Sequence, residues 1–174
     1  VIDDITDGVE WIISNKSIDK DKICIIGASF GGYATMMSLM REPNLYKCGV
    51  PMMGVYDLSI MFTRDRADAS RGQSRSIIDY KTNVIGHGDE SHMLVHSPLN
   101  NASKLKVPVF FIHGAEDKRV PIIHMERMQT ALSKLNKPYE TLVFDDEGHG
   151  WRQEENKLEF YQKLRDFLSK HLDA

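Results

Sequence analysis

The sequence predicts an α/β fold of about four parallel strands flanked by helices, and three observations carry that expectation. Short apolar runs alternate along the chain with longer segments of helical periodicity, the pattern of βαβ units and a parallel sheet. The run from Lys22 to Ile26 is too short for a helix and ends in Gly27, as a strand buried on both faces does. The chain has 174 residues, 41% of them hydrophobic, enough for one sizeable core, so a single domain over 1–174 is expected.

Taken in order, Ile5, Val9, Ile12 and Ile13, with Trp11 nearby, recur at helical spacing and predict a helix over Asp3–Asn15. Lys22–Ile26 follows as a strand. Next comes a helix from Phe30 or Gly31 to about Met40, stopped by Pro43. Cys48–Met53 and the β-branched, aromatic Val107–His113 are the second and third strands. The helix Ile122–Leu135 ends at Asn136 and leads into a fourth strand, Tyr139–Phe144. Leu158–Leu172 closes the chain as an amphipathic helix that groups Leu158, Tyr161, Leu164, Phe167, Leu168 and Leu172 on one face. Between the second and third strands, Gly54–Lys106 carries short helical patterns near Ile77–Tyr80, Ser91–His96 and Pro98–Ala102. An insertion of that length points to function.

The balance of 22 basic and 25 acidic residues leaves a formal charge of −3, which argues for neither nucleic acid nor an anionic membrane as partner. No apolar run approaches the roughly 18 residues of a membrane span. Val1 is not a natural start, so the compartment is left open. Cys24 and Cys48 both lie in apolar, strand-like runs. As parallel neighbours they would be close, and buried free thiols are the expectation. Neither has metal-ligand spacing with a histidine, so no zinc site is expected.

Chemistry concentrates at three places. Gly27-Ala28-Ser29-Phe30-Gly31-Gly32 lies between an apolar strand and a helix, the context of a nucleophile elbow. Flanking glycines allow a sharp turn and close helix packing, which leaves the Ser29 hydroxyl exposed above the sheet. The helix start and the Phe30 backbone N–H are placed to stabilise an oxyanion. The alternative is a tight turn in which Ser29 only caps the helix. A serine hydroxyl needs a base, and the base needs orienting. Asp117 follows the third strand in His113-Gly114-Ala115-Glu116-Asp117, and His149 follows the fourth in Glu147-Gly148-His149-Gly150. Serine, acid, histidine is the chain order of an α/β-hydrolase. Glu116 is the rival acid. Asp145 and Asp146 are expected to be solvated or turn-forming, as are the pairs Asp3/Asp4 and Glu154/Glu155 at helix starts. His113 is expected to pack or to cap its loop, and His87, His92, His96, His124 and His171 to lie at the surface.

These motifs resemble the prolyl oligopeptidase family of serine peptidases, above all its acylaminoacyl and dipeptidyl peptidases. The pieces are Gly27-Ala28-Ser29-Phe30-Gly31-Gly32-Tyr33, Ser97-Pro98-Leu99, His113-Gly114-x-x-Asp117-x-Arg119-Val120-Pro121 and Glu147-Gly148-His149-Gly150. The resemblance implies the C-terminal half of an α/β-hydrolase fold, with Ser29 as nucleophile, Asp117 as orienting acid and His149 as acid/base. It also implies that Met53, Val55 and Tyr56 help form the substrate pocket. Family members carry an eight-stranded sheet, usually after a β-propeller. A second oxyanion-hole donor, a tyrosine hydroxyl, is expected in the half that precedes these residues.

The expected function is hydrolysis of oligopeptides through an acyl-enzyme, which needs no metal and no organic cofactor. One alternative is an acyl-ester hydrolase of the same fold. Another is an incomplete fragment that serves only as an assembly module. Residues 22–26 lack the prolines and inward charges that guard natural sheet edges, so an unpaired edge there is expected to join a second copy or aggregate.

Overall fold

The computed structural model describes residues 1–60, 83 and 89–172. In chain order these form α1 (Ile2–Asn15), β1 (Cys24–Ala28), α2 (Phe30–Arg41), β2 (Cys48–Met52), α3 (Glu90–His96), a 3-10 helix (Pro98–Lys104), β3 (Val109–Gly114), α4 (Ile123–Lys134), β4 (Tyr139–Phe144) and α5 (Glu154–Leu172). The pattern expected near Ile77–Tyr80 lies outside the described residues, as does His87. Of the other two patterns in the insertion, Ser91–His96 falls in α3 and Pro98–Ala102 in the 3-10 helix.

The four strands are parallel and adjacent in the order β1-β2-β3-β4. Side chains alternate along a strand, so β3 feeds two cores. Val109 and Phe111 meet Met36 and Leu39 of α2 and Met128 of α4, while Phe110 and Ile112 meet Phe160 and Phe167 of α5. All six residues of β3 are buried, which makes it the centre of the layered core. By contrast β1 flanks the described sheet and is partly open, with Ile26 43% exposed. Among the described residues, no helix is long and apolar enough to cross a membrane.

Three expectations are corrected here. Cys24 and Cys48 are not free thiols but form a disulfide. The parallel register pairs them directly, with Cα atoms 4.7 Å apart, inside the range a disulfide requires. On α5, Leu158 and Tyr161 are exposed, and the buried stripe runs through Phe160, Leu164, Phe167, Leu168 and His171. Those positions recur at i, i+4, i+7, i+8 and i+11, whereas Leu158 sits about 200° around the helix from Phe160. On α1, Ile12 is exposed as well. Packing there falls to Ile2, Ile5 and Val9, of which Ile2 and Ile5 group with Ala34 and Met37 of α2.

Candidate active site

Ser29 occupies the turn between β1 and α2 with φ 57° and ψ −119°, a conformation that non-glycine residues rarely adopt. Its N–H donates to the Met52 carbonyl at 2.9 Å, and its own carbonyl accepts from Gly32 and Tyr33. The neighbouring strand and the helix thus hold the turn from both sides. A Cβ on Gly27 would lie 2.3 Å from the Gly31 carbonyl oxygen, so the elbow closes only with glycine there. The second glycine in close contact is Gly32, against the Met52 carbonyl, and not Gly31, whose missing Cβ faces open space. Although Ser29 is the N-cap of α2, its side chain makes no capping hydrogen bond. Phe30 is the first residue of that helix, where an N–H has no intrahelical acceptor.

Asp117 leaves β3 on a tight turn in which its N–H donates to the Gly114 carbonyl. One carboxylate oxygen, Oδ1, accepts the N–H groups of Arg119 and Val120, each at 2.8 Å. The other, Oδ2, accepts from His149 Nδ1 at 2.6 Å, and His149 Nε2 lies 2.9 Å from Ser29 Oγ. Because a carboxylate can only accept, the His149 proton sits on Nδ1, and Nε2 is free to receive the Ser29 hydroxyl proton. Asp117 is 5% exposed, so water does not compete for its oxygens. The three side chains come from the C-terminal ends of β1, β3 and β4, where ligands bind in open α/β sheets.

The loops that carry Asp117 and His149 are tied together. Glu116 N–H donates to the Glu147 carbonyl at 2.9 Å, and Ala115 N–H to that of Phe144. Glu116 is exposed, and the structure brings its neighbour Asp117, not the rival acid, to His149. Glu147 was not singled out by the sequence, yet it is 1% exposed and accepts from the Arg152 and Gln153 N–H groups and from Asn156. Burial pushes its carboxyl up, but those hydrogen bonds and the Arg152 charge prevail and hold it below the usual carboxylate range. Its one mark in the sequence is its place in the Glu147-Gly148-His149-Gly150 motif, which assigned it no role. Asp145 and Asp146 are exposed as expected, with Asp146 accepting from Gln153 and Asn156.

A cavity of about 570 Å³ opens beside Ser29, walled by Phe30, Tyr33, Val55, Leu58 and Val120. Of the three pocket residues expected, Val55 lines it. Met53 and Tyr56 are instead closed into the interior, Tyr56 edge-on to Phe111. Their side chains leave the chain on the core side of the segment that presents Val55. The His92 and His96 rings meet at a tilt, with centroids 4.2 Å apart, and also border the cavity. His124, expected at the surface, is fully buried and its Nδ1 accepts the Asp57 N–H at 3.2 Å. His171 is also no surface residue, packing against Phe167. Among the described residues, no group of three or more His, Cys, Asp or Glu side chains is placed to hold a metal ion.

The prolyl oligopeptidase family model matches residues 1–174. Dipeptidyl aminopeptidase BIII of Pseudoxanthomonas mexicana is 29% identical over 173 residues, 98% of this chain and 24% of that protein. Acylamino-acid-releasing enzyme 1 of Oryza sativa subsp. japonica is 22% identical over 178 residues, 98% of this chain and 22% of the enzyme. The solved structure of a Mycobacterium tuberculosis puromycin-hydrolyzing peptidase superposes with a TM-score of 0.85 at 24% identity, covering 98% of this chain and 25% of that one. The chain thus spans about a quarter of the length of the relatives it matches, and its four parallel strands and helices have the α/β-hydrolase arrangement. With every residue inside the family model and the fold in agreement, the chain belongs to the prolyl oligopeptidase family.

Proposed function

We propose that the protein is a serine peptidase that hydrolyses oligopeptides through an acyl-enzyme, with Ser29 as nucleophile, His149 as general base and acid, and Asp117 as the residue that orients His149. One observation carries this reading: Ser29 Oγ, His149 and the buried Asp117 carboxylate form a continuous hydrogen-bonded chain at 2.9 and 2.6 Å. Ser29 Oγ attacks the substrate carbonyl carbon while its proton passes to His149 Nε2. Asp117 Oδ2 holds Nδ1–H and stabilises the imidazolium. The oxyanion of the tetrahedral intermediate accepts from the N–H of Phe30 at the start of α2. Collapse expels the amine, which receives the proton from Nε2. Water, deprotonated by the same nitrogen, then releases the acyl group and restores Ser29. The relatives named for dipeptide release and acylamino-acid release support short peptides, attacked near the N-terminus, as the substrate class.

The test uses the full-length protein. A fluorophosphonate probe is expected to label Ser29, and dipeptidyl or acylaminoacyl amides are expected to be hydrolysed. Ser29→Ala should abolish both, with a loss in turnover on the order of 10⁶-fold. Labelling that persists in Ser29→Ala would remove the nucleophile assignment. Turnover of short acyl esters without any amide cleavage would replace the peptidase with an ester hydrolase.

A further inference from the structure

We propose that His113 is a positioning residue for the reaction: as a neutral donor it pins the turn that gives Asp117 its two backbone hydrogen bonds and so leaves Oδ2 to His149 alone. The inference rests on the peptidase reading above. His113 is the fifth residue of β3 and is fully buried. Its Nε2 lies 2.8 Å from the Val120 carbonyl oxygen. A carbonyl only accepts, so Nε2 carries the proton and Nδ1 is a bare lone pair. Nδ1 is buried and has no hydrogen-bond partner among the described residues.

The Val120 residue is therefore gripped at both ends. Its carbonyl accepts from His113, and its N–H donates to Asp117 Oδ1 at 2.8 Å beside that of Arg119. If the donor on His113 is lost, the carbonyl end of this turn is released and the two N–H groups lose their fixed direction. Asp117 then has no reason to present Oδ2 toward His149. The ring also stands 3.7 Å from Asp117 Oδ2, closer than any other imidazole except His149 itself among the described residues. At that distance a charged His113 would compete for the carboxylate. The groups facing it are Asp117 on its own loop, His149 from the loop after β4 and Glu126 on α4. Burial pushes the ring down from the ordinary histidine range, against the opposing pull of the Val120 carbonyl and Asp117. A second proton would have to sit on Nδ1, which is buried and faces no acceptor among the described residues, so His113 stays neutral and its hydrogen bond keeps one direction.

Two variants of the full-length protein test the role. His113→Leu removes the donor, whereas His113→Gln places an amide N–H where Nε2 stood and cannot be protonated. His113→Leu is expected to lower kcat on the order of 10²-fold, the cost of a misplacement of about 1 Å, with KM nearly unchanged. His113→Gln should recover most of that loss and leave the acid side of the pH–rate profile where it was. Equal impairment of both variants would overturn the proposal, as would a folded His113→Leu with wild-type kcat. If His113→Leu fails to fold, His113→Gln decides alone, since an inactive but folded Gln variant contradicts a donor role. Ser29→Ala, run alongside, separates the two ideas. Turnover retained without Ser29 would overturn both, whereas normal turnover of His113→Leu beside a dead Ser29→Ala removes only the role of His113.

Discussion

Gly114→Ala is the sharpest test of how the Asp117 and His149 loops are held together. Gly114 ends β3, three residues before Asp117, and a Cβ built there would stand 2.3 Å from the carbonyl oxygens of both Glu147 and Gly148. Both atoms are backbone, so no side chain can swing aside. Real Cβ atoms essentially never approach closer than 3.0 Å, so the strand end and the histidine loop must separate by at least about 0.7 Å. That movement acts on the loop that places His149 2.6 Å from Asp117 and 2.9 Å from Ser29. A displacement approaching 1 Å in such a constellation costs on the order of 10²-fold in rate. The same overpacking should destabilise the fold by about 1–3 kcal/mol. Stopped-flow labelling by a fluorophosphonate reads the first quantity and thermal unfolding of the same preparation reads the second. A Gly114→Ala protein with wild-type labelling rate and unchanged Tm would refute the reasoning, because it would mean that the two loops tolerate a methyl group between them.

Asp117→Asn is expected to lower kcat on the order of 10⁴-fold by presenting the wrong partner to His149 Nδ1, and Glu116→Gln to have little effect. The opposite ranking in steady-state assays would move the acid to Glu116. Glu147 contributes stability that is present above the usual carboxylate range and is lost as pH falls through its lowered folded value. Glu147→Gln should therefore flatten the acid slope of Tm against pH, and an unchanged slope would show that another group titrates. The Cys24–Cys48 disulfide closes a loop with a sequence separation of 24. In the chain-entropy account its reduction should cost about 3.5 kcal/mol. Thiol titration under denaturing, non-reducing conditions is expected to find neither cysteine free, and two reactive thiols would contradict the bond.

Much of this site was legible in the sequence because its signals are local. The elbow needs an apolar strand, a glycine where the helix start closes in and a serine between them, and all three are contiguous from Cys24 to Gly32. Asp117 and His149 could be nominated for the same reason, since each follows closely on a strand whose period and composition are visible. The four strands and their parallel arrangement came from alternation alone, with ends displaced by at most two residues.

What the tertiary structure alone decided are matters of who lies across from whom. Cys24 and Cys48 are bonded because the β1–β2 register puts them opposite each other, and no spacing of 24 residues predicts a register. His124 and Glu147 look like any polar residue at a helix face or loop, yet each is buried against a backbone partner supplied by a distant or returning segment; for His113, expected to pack or cap its loop, only the structure names the partner, the Val120 carbonyl. The buried face of α5 depends on where β3 and β4 present Phe110 and Phe144, which a helical period cannot reveal when apolar residues occur on more than one side. Tyr56 and Val55 are adjacent in sequence, but one enters the core and the other the cavity beside Ser29. Periodicity and turn chemistry act within a few residues, so a single chain displays them. Burial and register are set by surfaces that meet only when the chain has folded.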